Sequence, residues 1–185
     1  LSLLVQQPEY GRVLDLLWTL YEKHDSTKLL VENVSQQASS SKHPAVLLVH
    51  GHLLRRSGDL AAAAAKYDVV LKAEPVNVFA LRIRADVAVE LKQPEEAIAL
   101  LKRLAQADKS AGTWIEIGNL ALGGGKNAEA AEAWETAARL LPEDFALARQ
   151  VAQLLLQAGF PERAASFFAK LADQKDPQRK LDALY

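Results

Sequence analysis

The sequence predicts an all-α fold assembled from helix–turn–helix repeats, and three observations carry that prediction. Apolar residues recur at helical spacing nearly throughout, with Ala and Leu dominant and β-branched runs short. The breaks between helices are regular: Gly58-Asp59, Gln93-Pro94, Gly125-Lys126-Asn127 and Gly159-Phe160-Pro161. Gly ends a helix at little cost because it accepts positive φ, and Pro suits the first turn of the next. Asp59 and Asn127 are expected as N-caps, accepting hydrogen bonds from the next helix. The third observation is self-similarity. A small residue recurs at Ala63, Ala97, Ala130 and Ala164, with spacings of 34, 33 and 34. Four residues later comes a large one: Tyr67, Leu101, Trp134 and Phe168. Two further columns keep the register, Gly51/Ala85/Gly118/Ala152 in the first helix and Gly58/Lys92/Gly125/Gly159 at the turn. A fixed period of this length means that each unit buries its apolar face against its neighbours.

In chain order, residues 1–7 read as the end of a second helix of an upstream unit. Residues 8–43 read as a degenerate unit, in which Trp18 and Leu30 replace small residues. Large side chains there keep two helices further apart. Residues 35–44, rich in Ser and Gln, are expected to fray into a polar loop. Four repeats follow, at 44–77, 78–110, 111–144 and 145–178. In the second, Arg84 takes a usually apolar position. Residues 179–185 read as the start of a further helix. The whole is expected to form one domain, cut from a longer protein; the chain contains no Met.

Composition removes several functions. The 185 residues carry a formal net charge of −1 with neither half strongly polarised, so the basic excess of a nucleic-acid binder is missing. There is no Cys, which removes disulfides, thiolate nucleophiles and Cys-based zinc sites. No apolar run approaches the ~18 residues of a membrane span. The compartment stays open.

No residue pattern supplies catalysis, and none is expected to hold a metal or cofactor. The histidines are His24, His43, His50 and His52. His50 and His52 point about 200° apart on a helix, so they do not share one metal. His50 is expected to pack and His52 to face a solvated groove. Gly123-Gly124-Gly125-Lys126 lacks the flanking residues of a phosphate loop, having Leu120 and Asn127 instead. Asn33-Val34-Ser35 is an acceptor sequon inside an expected helix. Glu95-Glu96 and Glu143-Asp144 complement helix dipoles without acid–base work.

The repeat resembles the tetratricopeptide family, whose unit is a helix–turn–helix of about 34 residues. Trp114, Gly118, Ala121, Gly125, Ala130, Trp134, Ala137 and Pro142 carry the likeness best. The resemblance implies a right-handed superhelical solenoid and a non-enzymatic scaffold for a protein or peptide partner. It also implies that positions two, five, nine and twelve of each first helix line a concave groove. Carried onto this chain, the groove is Leu48, His52 and Arg55; Phe79, Arg82 and Asp86; Ile115 and Asn119; Arg149 and Gln153. The clamp by which chaperone-binding members hold a peptide's C-terminal carboxylate is missing: Leu48, His52, Ile83, Gly112 and Glu116 stand where Lys, Asn or Arg would be needed. An alternative is a substrate- or partner-positioning region of a larger enzyme or of a secretion or polysaccharide-export machine. Self-association through the end helices is a third possibility.

Overall fold

A computed structural model describes residues 11–41 and 43–172. Among them are ten α-helices and no strand. They are α1 (Arg12–Lys23), α2 (Thr27–Ser41), α3 (Pro44–Arg56), α4 (Leu60–Ala73), α5 (Val78–Glu90), α6 (Pro94–Asp108), α7 (Ala111–Gly123), α8 (Asn127–Leu140), α9 (Phe145–Gln157) and α10 (Pro161–Ala172). The readings of residues 1–7 and 179–185 lie outside the described residues. Contacts divide the chain into two compact units, Leu1–Leu100 and Leu101–Tyr185.

Turn chemistry sets the helix boundaries. Gly58, Gly125 and Gly159 have φ of 88°, 73° and 86°, and Lys92, in the same column, has 59°. A left-handed residue there lets the next amide reach back to the last helical turn. Asp59 N donates to Leu54 O at 2.9 Å, and Gln93 N to Ala88 O at 2.8 Å. The column extends one repeat upstream, to Asp25 at φ 50°, with Ser26 N donating to Tyr21 O at 2.9 Å. The degenerate unit therefore keeps the repeat's turn even where it has lost the small residues.

Helix starts follow local side chains. Asp59, Asn77, Ser110 and Asp144 cap α4, α5, α7 and α9 by accepting backbone amides of the first turn. His43 does the same for α3 through Nδ1. Pro44, Pro94 and Pro161 open α3, α6 and α10, where a missing N–H costs nothing. Asn127 departs from its expected role. It is the first residue of α8 rather than its cap, and its Nδ2 donates to Ala158 O, the carbonyl at the end of α9, at 3.3 Å.

A second correction falls on residues 35–44. No loop opens at Ser35; α2 runs to Ser41. Leu30, Val34 and Ala38 continue one apolar stripe at i, i+4 and are all buried. The hydroxyls bond back into the helix, Ser39 Oγ to Ser35 O and Ser40 Oγ to Gln37 O, each at 2.9 Å, so they do not compete with it.

The small-residue columns lie where helices meet. Ala63, Ala97, Ala130 and Ala164 are all fully buried. A Cβ built on Gly51 would stand 2.8 Å from Tyr67 Cζ, and one on Gly118 2.8 Å from Trp134 Cε2. These glycines let an aromatic ring approach where a side chain would collide with it. In the first unit α1 through α5 pack each on the next, and in the second α7 through α10 do so. Leu14, Trp18, Leu30, Val34, Val49 and Leu53 form one core cluster, in which large side chains of α1 and α2 fill the space that small residues close elsewhere.

Candidate partner-binding face

α3 is apolar nearly all round, and every residue from Ala45 to Leu54 is buried. Two of the expected groove residues are therefore inside. Leu48 is 3% exposed and His52 0%. The expectation that His52 faces solvent is overturned. Its Nδ1 pairs with Tyr67 Oη at 3.0 Å, and Phe79 of α5 closes over its ring edge-on, centroids 6.0 Å apart. The signal was present in the sequence, since a helix without a polar face belongs in a core. His50 is buried as expected, with Nδ1 unpartnered, and burial followed by the Lys66 charge pushes its pKa below the usual 6.5.

Arg55 of α3 and Asp86 of α5, both expected in the groove, stand beside one another. Arg55 Nε donates to Glu90 Oε1 at 2.9 Å, and its Nη1 lies 3.9 Å from Asp86 Oδ2. Burial works against the Arg55 charge. The Glu90 hydrogen bond and the two carboxylates outweigh it and hold the pKa above its usual value. Phe79 and Arg82, three apart on α5, are half-buried and share a face. In the second unit, Ile115 and Arg149 are half-buried, and Asn119 and Gln153 are exposed. Asn119 also has a structural task, because its Oδ1 accepts Trp134 Nε1–H at 3.2 Å.

Sequence reasoning placed no partner on Arg84, which turns out to be the most buried cation described. Its side chain is 6% exposed; Nε donates to Asp68 Oδ1 at 3.0 Å and Nη2 to Glu96 Oε1 at 2.6 Å, and Nη1 is buried with no hydrogen-bond partner. Its repeat position is held by His50, Ile117 and Val151 elsewhere, all buried. The wrong residue type at an apolar position was the clue, and its two carboxylates come from neighbouring helices that no local pattern joins.

Among the described residues no three His, Cys, Asp or Glu side chains are grouped to hold a metal ion. No described helix is long and apolar enough to cross a membrane. Paired helices that repeat in a fixed register define a helical-repeat fold.

The family follows from comparison with known proteins. The tetratricopeptide repeat model matches residues 48–111 and 115–179, and the chain belongs to that family. Curated protein sequences contain no match. Solved structures of MamA share the fold. One described as the crystal structure of MamA aligns over 95% of this chain and 96% of its own, with a TM-score of 0.61 at 14% identity. MamA 41-end from Desulfovibrio magneticus RS-1 aligns over 85% and 90%, with 0.57 at 21%. MamA AMB-1 aligns over 87% and 91%, with 0.60 at 20%. At these identities the likeness is one of fold. The repeat fold supports a protein–protein interaction scaffold in general.

Proposed function

We propose that the chain is a non-enzymatic scaffold that holds a peptide or a partner helix against the first helices of its repeats. One observation carries the reading. Each unit carries one strip at the same repeat positions: Arg82, Asp86 and Val89 on α5 of the first unit, and Arg149, Gln153 and Leu156 on α9 of the second. Val89 and Leu156 are exposed at 42% and 47%. Each strip combines a cation, a side-chain oxygen and an exposed apolar side chain, a mixture that suits a partner carrying both charged and apolar residues. Leu48 and His52 are withdrawn from the proposed lining because they are core. Phe79 and Ile115 stay in it as apolar contacts.

The partner that suits such strips is acidic and apolar together, an extended peptide or an amphipathic helix. Charge then acts mainly on capture, so added salt slows association more than it speeds release. The test is affinity capture from the native source, followed by mass spectrometry, with wild type and with the Arg82→Glu/Arg149→Glu variant. The partner is expected to vanish from the variant while its helical circular dichroism and Tm stay near wild type. Equal capture by both proteins removes the groove assignment.

A further inference from the structure

α1 is apolar around more of its surface than its own hairpin covers. Leu14 and Trp18 join Leu30 and Val34 of α2 in the core cluster. Val13, Leu16 and Leu20 form a second stripe on α1, and all three are exposed. Leu29, in the first turn of α2, is exposed as well. A contiguous apolar stripe of this kind marks a surface that something covers.

The repeat identifies the cover. One period later the stripe becomes Val46, Val49 and Leu53 of α3, and two periods later Ala80, Ile83 and Val87 of α5. All six are buried; Val49 is 1% exposed where Leu16 is 62%. The covering element in both cases is the second helix of the preceding hairpin. α2 packs on α3, with Leu30 and Val34 in one cluster with Val49 and Leu53, and α4 packs on α5. The Leu29 column faces the same way. Its later members Glu129 and Arg163 pair with Lys102 and Glu135, each on the preceding second helix.

The α1 stripe thus calls for a helix with apolar residues four apart, as Leu30, Val34 and Ala38 are on α2. Leu1 and Val5 supply that pattern, 33 residues before Val34 and Ala38. We propose that Leu1–Gln7 docks on Val13, Leu16 and Leu29 as the end of a second helix and closes the open face of α1. Area favours a tethered occupant over a second copy of the chain. The bare surface is on the order of a few hundred Å², against the ~800 Å² that each partner contributes to a stable interface between separate chains. A segment joined to α1 through residues 8–11 needs less contact, because the connection gives it a high effective concentration. The site is separate from the strips on α5 and α9, and it serves the repeat by capping an end that has no neighbour.

The chain contains no Cys, so one introduced thiol reports on one position. In the 185-residue chain, Leu16→Cys is compared with Leu16→Cys/Leu1→Asp/Val5→Asp by the rate of maleimide modification. The covered thiol should react at least about tenfold more slowly than the one from which the Asp side chains release the segment. Glu22→Cys, about a third of a turn away around α1, should react at one rate with and without the Asp changes. Equal rates at Leu16→Cys overturn the proposal. So does an equally large change at Glu22→Cys, which would mean that the Asp side chains loosen the whole hairpin. Protection of Leu16→Cys that is lost on dilution, with a dimer in sedimentation, overturns it too, since a second copy would then be the cover. If the Asp variant loses helical circular dichroism, deletion of residues 1–7 takes its place with the same expected rates.

Discussion

The hairpins α3–α4 and α7–α8 use the same columns and solve the same packing problem with different polar chemistry. Each has a glycine under an aromatic ring, Gly51 under Tyr67 and Gly118 under Trp134. Each ties that ring's polar atom to the residue after the glycine, His52 in one and Asn119 in the other. Yet His52 is sealed in the core and Asn119 is exposed. One residue before the glycine, the first hairpin buries His50 and the second buries Ile117. All four histidines fall in the first unit. The repeat thus dictates shape and register, while the polarity of the buried positions is free to differ. One residue before the small-residue column, the first unit buries a polar or charged side chain, His50 or Arg84, where the second buries Ile117 or Val151.

The largest effect is expected where shape alone decides. Gly118→Leu has no room beside Trp134 and should destabilise by about 1–3 kcal/mol or more, read as a lower urea midpoint. An unmoved midpoint would mean that the hairpin relaxes around a side chain. Next comes the buried cation. Arg84→Ala removes packing and two charge-assisted bonds, and a loss of about 1–3 kcal/mol is expected, reduced because Asp68 and Glu96 are themselves nearly half exposed. Arg84→Ile copies Ile117 of the second unit and should cost about 1 kcal/mol or less, since apolar replacements of buried pairs are commonly near neutral. If Ile costs as much as Ala in chemical denaturation, the ion pairs rather than the packing hold α5.

A smaller contrast concerns the two ring ties. His52→Leu removes the Nδ1 partner of the buried Tyr67 hydroxyl and should cost about 1–3 kcal/mol; Asn119→Ala removes the partner of the Trp134 N–H beside an exposed position and should cost about 1 kcal/mol or less. Equal thermal shifts for the two would contradict the difference in burial. The smallest effect is on pH. The lowered pKa of His50 means that the unfolded chain binds its proton more readily than the folded one. Stability is then intact above the unfolded value of 6.5 and declines as pH falls from there toward the lowered folded value. Melting curves of wild type between pH 7.5 and 5 should show that decline, and His50→Leu should flatten it. An identical slope in the variant would locate the titration elsewhere.

Much of the fold was readable because its determinants are local. A left-handed turn residue, an apolar stripe every third or fourth residue and a small residue opposite a large one all act within a single hairpin. Gly58, Lys92, Gly125 and Gly159 took the predicted turn for that reason. The failures share a cause as well. Residues 35–41 looked like loop by composition, but buried Val34 and Ala38 kept the helix going. Asn127 had the residue type of a cap, but Lys126 occupies that place and a carbonyl of the next hairpin claims the Asn side chain.

By itself the sequence determined that this is a tetratricopeptide-type chain, where its helices turn and which residues face one another inside each hairpin, because those choices are made by neighbours within about one repeat. Only the tertiary structure decided what each helix face meets. It closed Phe79 over His52, gave Arg84 its two carboxylates and set Arg55 between Asp86 and Glu90. Burial and pairing depend on side chains that arrive from other helices, and a helical period says which way a residue points but not what covers it.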